Sequence, residues 1–221
     1  MDSLLPAVTI EPASQHHSSI IRMHGLGADG HDFEPIAAEL RLPVEWGVRF
    51  VFPHAPRQPV TINGGYVMRA WYDIASSDIN RIPDEQGIHA SRQAVEQWIA
   101  HELDAGIPPE RIILAGFSQG GVIAMETATR NQNKVGGAIA LSCYAAMPEE
   151  IPKAENALPI FVGHGTQDTI VPHALGLMAR NKLEQQGYDV SWREYTMPHS
   201  VCGEEIQDIR GWLVERLGNA R

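Results

Sequence analysis

Short apolar runs alternate with longer amphipathic segments along this chain, separated by turns rich in glycine and proline. Ala7–Ile10, Ser19–Met23 and Val48–Phe52 read as strands, since branched and aromatic residues cluster there between breakers. Arg111–Phe117, Gly137–Leu141 and Pro159–Val162 are near-continuous apolar runs. Such strands are buried on both faces, as at the centre of a parallel sheet. Val190–Thr196 alternates as a half-buried strand does. Between the strands, Phe33, Ile36, Ala37 and Leu40 lie at helical spacing over residues 32–40. Ile88, Ala94, Val95, Trp98 and Ile99 form the inward face of a helix over Gly87–Ala105. Further helices are predicted over 119–130, 173–186 and 203–217, the second ended by Gly187.

This alternation predicts an α/β fold: a mostly parallel central sheet flanked by helices. One stretch resists the pattern. From Ala55 to about Pro83 the chain reads as a long irregular loop containing Asn63-Gly64-Gly65 and Trp71-Tyr72-Asp73. Loops that long are uncommon in compact domains unless functional. No repeat, low-complexity tract or linker divides the chain, so residues 1–221 are expected to form one domain.

Composition narrows the function. Among 221 residues, 43% are apolar and 20% charged, which excludes a disordered or fibrous protein. The net charge of −10 repels phosphate backbones, so nucleic acid is not an expected partner. Cys143 and Cys202 form no CxxC and suit a reducing compartment. The start, Met1-Asp2-Ser3-Leu4-Leu5-Pro6, has neither the basic nor the apolar region of a signal peptide. No apolar stretch approaches the ~20 residues of a membrane span. A cytoplasmic protein is expected, unless a leader was removed. The ten histidines show no metal-binding spacing such as HExxH, so neither metal nor other cofactor is expected.

Gly116-Phe117-Ser118-Gln119-Gly120 matches G-x-S-x-G. The pentapeptide is weak alone, and an ordinary glycine-rich turn would also match it. Its context strengthens it: a buried strand precedes it and a helix follows, as a nucleophile elbow requires. A serine hydroxyl needs a base, and the expected order is serine, acid, histidine. Three histidines follow Ser118. His199, in a loop between the last strand and last helix, is favoured over His164 and His173. Asp168 follows the strand Pro159–Val162 and is the expected acid, with Asp189 as rival. One oxyanion amide should come from Gln119. The other should come from the glycine-rich stretch His24–Gly30, in which spacing does not single out an amide.

Met23-His24-Gly25-Leu26-Gly27-Ala28-Asp29-Gly30, Ala70-Trp71-Tyr72-Asp73-Ile74, Gly116–Gly121, His164–Asp168 with Val171-Pro172, and His199-Ser200-Val201-Cys202 stand in order over about residues 20 to 205. Together they resemble the phospholipase/carboxylesterase family of the α/β-hydrolase superfamily, which includes acyl-protein thioesterases. The resemblance implies an α/β-hydrolase fold without a large cap domain. It implies Ser118, Asp168 and His199 as catalytic triad, Leu26 and Gln119 as oxyanion amides, and a possible homodimer. Tyr72 stands where the family usually has Phe. Trp71, Met68, Met147, Val171 and Val201 are candidates to line an acyl groove. The expected substrate is a small ester or thioester, an acylated protein or a lysophospholipid. A peptidase or a non-catalytic binding module is the more remote alternative.

Overall fold

The architecture follows from strands that bury both faces. The computed structural model describes residues 4–76 and 83–218. Its strands are β1 (Ala7–Ile10), β2 (Ser18–Met23), β3 (Val48–Pro53), β4 (Arg57–Val60), β5 (Tyr66–Arg69), β6 (Ile112–Phe117), β7 (Gly137–Leu141), β8 (Pro159–Gly165) and β9 (Asp189–Tyr195). Its helices are α1 (Glu34–Glu39), α2 (Glu85–Asp104), α3 (Gln119–Arg130), α4 (His173–Gln185) and α5 (Gly203–Leu217). Seven strands form one sheet in the order β1-β3-β2-β6-β7-β8-β9. All are parallel except β1, which pairs antiparallel with β3 at the edge.

The period of two along β6 distributes its apolar residues to opposite faces. Ile112 and Leu114 join a core with Trp98 and Ile99 of α2, Val122 and Met125 of α3, and Leu183 of α4. Ile113 and Ala115 join a second core with Ile209, Trp212 and Leu213 of α5. Helices therefore cover both faces, as the apolar runs predicted. β6 lies between β2 and β7, at the middle of the sheet. Its C-terminal end is where open α/β sheets place their sites.

The expected loop over 55–83 is corrected by the structure. It contains the antiparallel hairpin β4–β5, which pairs Val60 with Tyr66 and Arg57 with Arg69. Tyr66 and Val67 are exposed, and Pro59 interrupts β4, so no alternating pattern marks these strands. The hairpin is held by Asp73, whose carboxylate accepts from the Thr61 amide (2.7 Å) and the Thr61 hydroxyl (2.5 Å). Residues 77–82 of the expected loop lie outside the described residues. Other bounds also differ, most by one or two residues. α1 is only six residues long, and β8 continues to Gly165 by pairing Gly165 with Tyr195.

Candidate active site

Ser118 joins the end of β6 to the start of α3. Its backbone has φ 55° and ψ −120°, a region that costs a non-glycine residue roughly 1–3 kcal/mol. The turn is closed by glycines that nothing larger could replace. A Cβ on Gly116 would lie 2.1 Å from the Gly120 carbonyl oxygen. A Cβ on Gly120 would lie 2.3 Å from the Met23 carbonyl oxygen of β2. One on Gly121 would lie 2.9 Å from Cys143 Cβ. The Ser118 amide donates to Leu141 of β7 at 2.8 Å, which anchors the elbow across the sheet. Its hydroxyl makes no hydrogen bond to any described residue and lines an open groove.

His199 and Asp168 meet beside it. His199 Nδ1 donates to Asp168 Oδ2 at 2.7 Å, which leaves Nε2 as the basic nitrogen. Both loops follow the C-terminal ends of neighbouring strands, β8 and β9. Asp168 is fixed from its other oxygen: Oδ1 accepts from the amides of Ile170 (2.9 Å) and Val171 (2.8 Å). Two of the rivals lie elsewhere, and the third, His164, sits behind Asp168 with its Nε2 3.6 Å from Oδ2. Asp189 opens β9 at the opposite end of the sheet and pairs with Arg216. His173 pairs with Glu194 on the outside. His164 is buried, with Nε2 donating to the Val171 carbonyl at 2.9 Å. Burial lowers its pKa, so it stays neutral.

The stretch 24–30 follows β2 and packs over the elbow. Neither the Leu26 nor the Gln119 amide has a partner among the described residues. The loop is braced from several sides. His24 Nδ1 donates to the Gly25 carbonyl (2.7 Å), while Nε2 accepts from the Ala55 amide (3.0 Å). Burial lowers the His24 pKa, which keeps that acceptor lone pair free of a proton. The Gly27 amide donates to the Arg69 carbonyl at the end of the hairpin. The Gln119 side chain clamps residues 71 and 72, accepting from the Trp71 amide (2.8 Å) and donating to the Tyr72 carbonyl (2.7 Å).

The groove that holds Ser118 and His199 has a volume of about 510 Å³. Val171 lines it, together with Leu26 and Gln119. The other candidate groove residues lie elsewhere. Trp71 is 1% exposed in the core, where its indole donates to the His24 carbonyl at 2.9 Å. It holds up the loop that carries Leu26 and does not line the groove. Met147 is buried in the same core. Val201 faces the opposite side of the sheet, packed against the α5 core. Met68 sits in the hairpin, with its sulfur accepting from the Asn63 amide group at 3.4 Å. The residues that do line the groove include Ile62, Tyr72, Ile74, Tyr144, Ile170 and Leu175. Most are isolated apolar residues in irregular segments, and no periodicity could have singled them out.

Residues 5–215 match the sequence profile of the phospholipase/carboxylesterase family. Acyl-protein thioesterase 1 of Neurospora crassa is 37% identical, covering 96% of this chain and 92% of that protein. Acyl-protein thioesterase 1 of Saccharomyces cerevisiae is 36% identical over 99% of this chain and 100% of its own length. Among solved structures, Arabidopsis thaliana SOBER1 superposes with a TM-score of 0.84 at 29% identity, covering 91% of this chain and 99% of that one. Zea mays acyl-protein thioesterase 2 superposes with a TM-score of 0.86 at 24% identity, covering 97% and 100%.

Proposed function

The chain belongs to the phospholipase/carboxylesterase family of α/β-hydrolases, whose members cleave carboxylic esters with a serine nucleophile, and from that premise we propose that Ser118, Asp168 and His199 are its catalytic triad. The observation that carries this reading is the 2.7 Å bond from His199 Nδ1 to the doubly anchored Asp168, beside a serine on a strained elbow in the same groove. Ser118 Oγ attacks the acyl carbonyl carbon as His199 Nε2 takes its proton. The amides of Leu26 and Gln119 hold the oxyanion, and their lack of other partners supports that role. Collapse breaks the bond to the leaving group, which receives the proton from His199. Water then attacks the acyl-enzyme, giving its proton to the same nitrogen; the second collapse breaks the acyl–Oγ bond, Ser118 Oγ takes that proton back from His199, and the free acid departs.

Thioesters of acylated protein cysteines are the natural substrate class in this reading. Relatives at 36–37% identity over nearly the whole chain are acyl-protein thioesterases, which supports it. The free thiols Cys143 and Cys202 support a cytoplasmic setting, and a homodimer rests on the family resemblance. No helix among the described residues is long and apolar enough to cross a membrane.

The test compares kcat/KM for an S-acylated peptide, the oxygen ester of the same acyl group and a lysophospholipid, with Ser118→Ala alongside. A preference for the thioester that vanishes in the variant supports the proposal. Preference for the oxygen ester or the lysophospholipid would overturn the substrate assignment. Activity that survives in Ser118→Ala would overturn the triad.

A further inference from the structure

A second groove, of about 540 Å³, adjoins the one that holds Ser118. Ala145, Ala146, Met178 and Ala179 line it, and the Lys182–Glu149 ion pair (2.8 Å) stands at its rim. Tyr144 and Leu175 line both grooves and so form the wall between them. Tyr144 is held in that wall. Its hydroxyl lies 3.1 Å from the hydroxyl of Tyr72. Tyr72 is itself a fixed post, 2% exposed, with its carbonyl bonded to the Gln119 side chain.

An acyl chain running from Ser118 past Val171 and Ile74 therefore meets a wall, behind which the alanines and Met178 of the second groove offer apolar surface between the polar side chains of Glu149, Asn181, Lys182 and Gln185. We propose that Tyr144, pinned by Tyr72, sets the acyl-chain length this enzyme accepts. Chains that end within the first groove are processed with the wall in place. Longer chains reach the second groove only by displacing Tyr144 and breaking the hydroxyl pair. This deepens the ester-hydrolase reading and rests on it.

The two hydroxyls have separable effects. Truncation in Tyr144→Ala removes the aromatic part of the wall and leaves Leu175. Tyr72→Phe leaves the ring of Tyr144 in place but removes one hydrogen bond that holds it. Wild type should show kcat/KM rising along a p-nitrophenyl ester series from acetate to palmitate, then levelling where the chain meets the wall. In Tyr144→Ala the rise should continue beyond that point, by about fourfold per methylene, the equivalent of the ~0.8 kcal/mol of one buried CH₂. Tyr72→Phe should extend it by a smaller amount, read as the ratio of long-ester to short-ester kcat/KM.

The same break should appear without turnover, as the affinity of Ser118→Ala protein for fatty-acid anions of those lengths. That measurement separates the two readings. If Ser118→Ala still hydrolyses esters, the triad assignment fails while the wall is still read from binding. A Tyr144→Ala profile that superimposes on wild type, in hydrolysis and in binding, overturns the proposal. If Tyr144→Ala does not fold, Tyr144→Val decides: an unchanged ratio of long to short esters overturns it equally.

Discussion

Replacing Asp168 with asparagine tests the triad most sharply, because the surrounding structure dictates which way the new amide must point. In the native protein Oδ1 accepts two backbone amides, Ile170 and Val171, while Oδ2 faces His199 Nδ1. In Asp168→Asn the carboxamide oxygen must take the position facing the two amides. The reverse orientation would aim an NH₂ group at two N–H donors. The NH₂ group is therefore turned toward His199, and it can bond Nδ1 only if that nitrogen carries no proton. The imidazole proton is driven to Nε2, the nitrogen that must accept from Ser118. A base in the wrong tautomer costs about 10⁴-fold in kcat, or ~5.5 kcal/mol of transition-state stabilisation. Folding should change less than on full truncation, since the three native hydrogen-bonding positions of residue 168 each keep a partner.

Asp168→Ala is the informative contrast. It leaves the buried Val171 amide without an acceptor, at ~1–3 kcal/mol, and the part-buried Ile170 amide at less, and so should lower the melting temperature as well as the rate. The assay is initial-rate hydrolysis of a saturating p-nitrophenyl ester, paired with thermal melts of both variants. An Asp168→Asn enzyme that keeps more than about a tenth of the wild-type kcat would refute the tautomer argument. So would an asparagine variant that melts as low as the alanine variant.

Gly120→Ala should destabilise by about 3 kcal/mol, since its Cβ would meet two backbone carbonyls, of Met23 and His24, that cannot retreat without opening β2. Gly203→Ala, whose Cβ meets nothing within 4 Å, is the control and should melt like wild type. Trp71→Phe removes the donor to the buried His24 carbonyl and should cost ~1–3 kcal/mol in stability, with the chain-length profile unmoved; a changed profile would return Trp71 to the groove. Glu205 is buried, and that burial pushes its carboxyl from 4.5 up to about 8. Between those values the folded protein keeps a proton that the unfolded chain releases, so stability falls as pH rises, by up to ~1.4 kcal/mol per pH unit. Glu205→Gln lacks that slope, so its melting temperature should gain on wild type steadily across the window; a constant gap would mean that Glu205 is ionised against Arg22 throughout.

The central strands were legible because a parallel sheet demands apolar residues on both faces, and 112–117, 137–141 and 159–162 carry little else. The tight turn at Ser118 was legible for a related reason. The close approach of α3 to β2 excludes every Cβ at Gly120, so the glycine spacing around Ser118 records a steric requirement directly. The hairpin β4–β5 was missed because it is exposed and short, and such strands need no apolar alternation. The groove candidates suffered from the opposite fault. Trp71, Met147 and Val201 are apolar and near the motifs in sequence. Apolar character does not say on which side of a sheet a side chain falls.

By itself, then, the sequence determined the α/β order of elements, the elbow at Ser118 and the identity of its acid and base candidates, because each is imposed by local backbone geometry or by strand burial. Tertiary structure alone decided the rest. It brought residues 168 and 199 to 2.7 Å, turned Trp71 inward to brace the loop that carries Leu26, and set Tyr144 against Tyr72 between two grooves. Those contacts join segments 31, 47 and 72 residues apart. No local preference encodes them; they follow from the parallel crossovers that carry the chain's loops to one edge of one sheet.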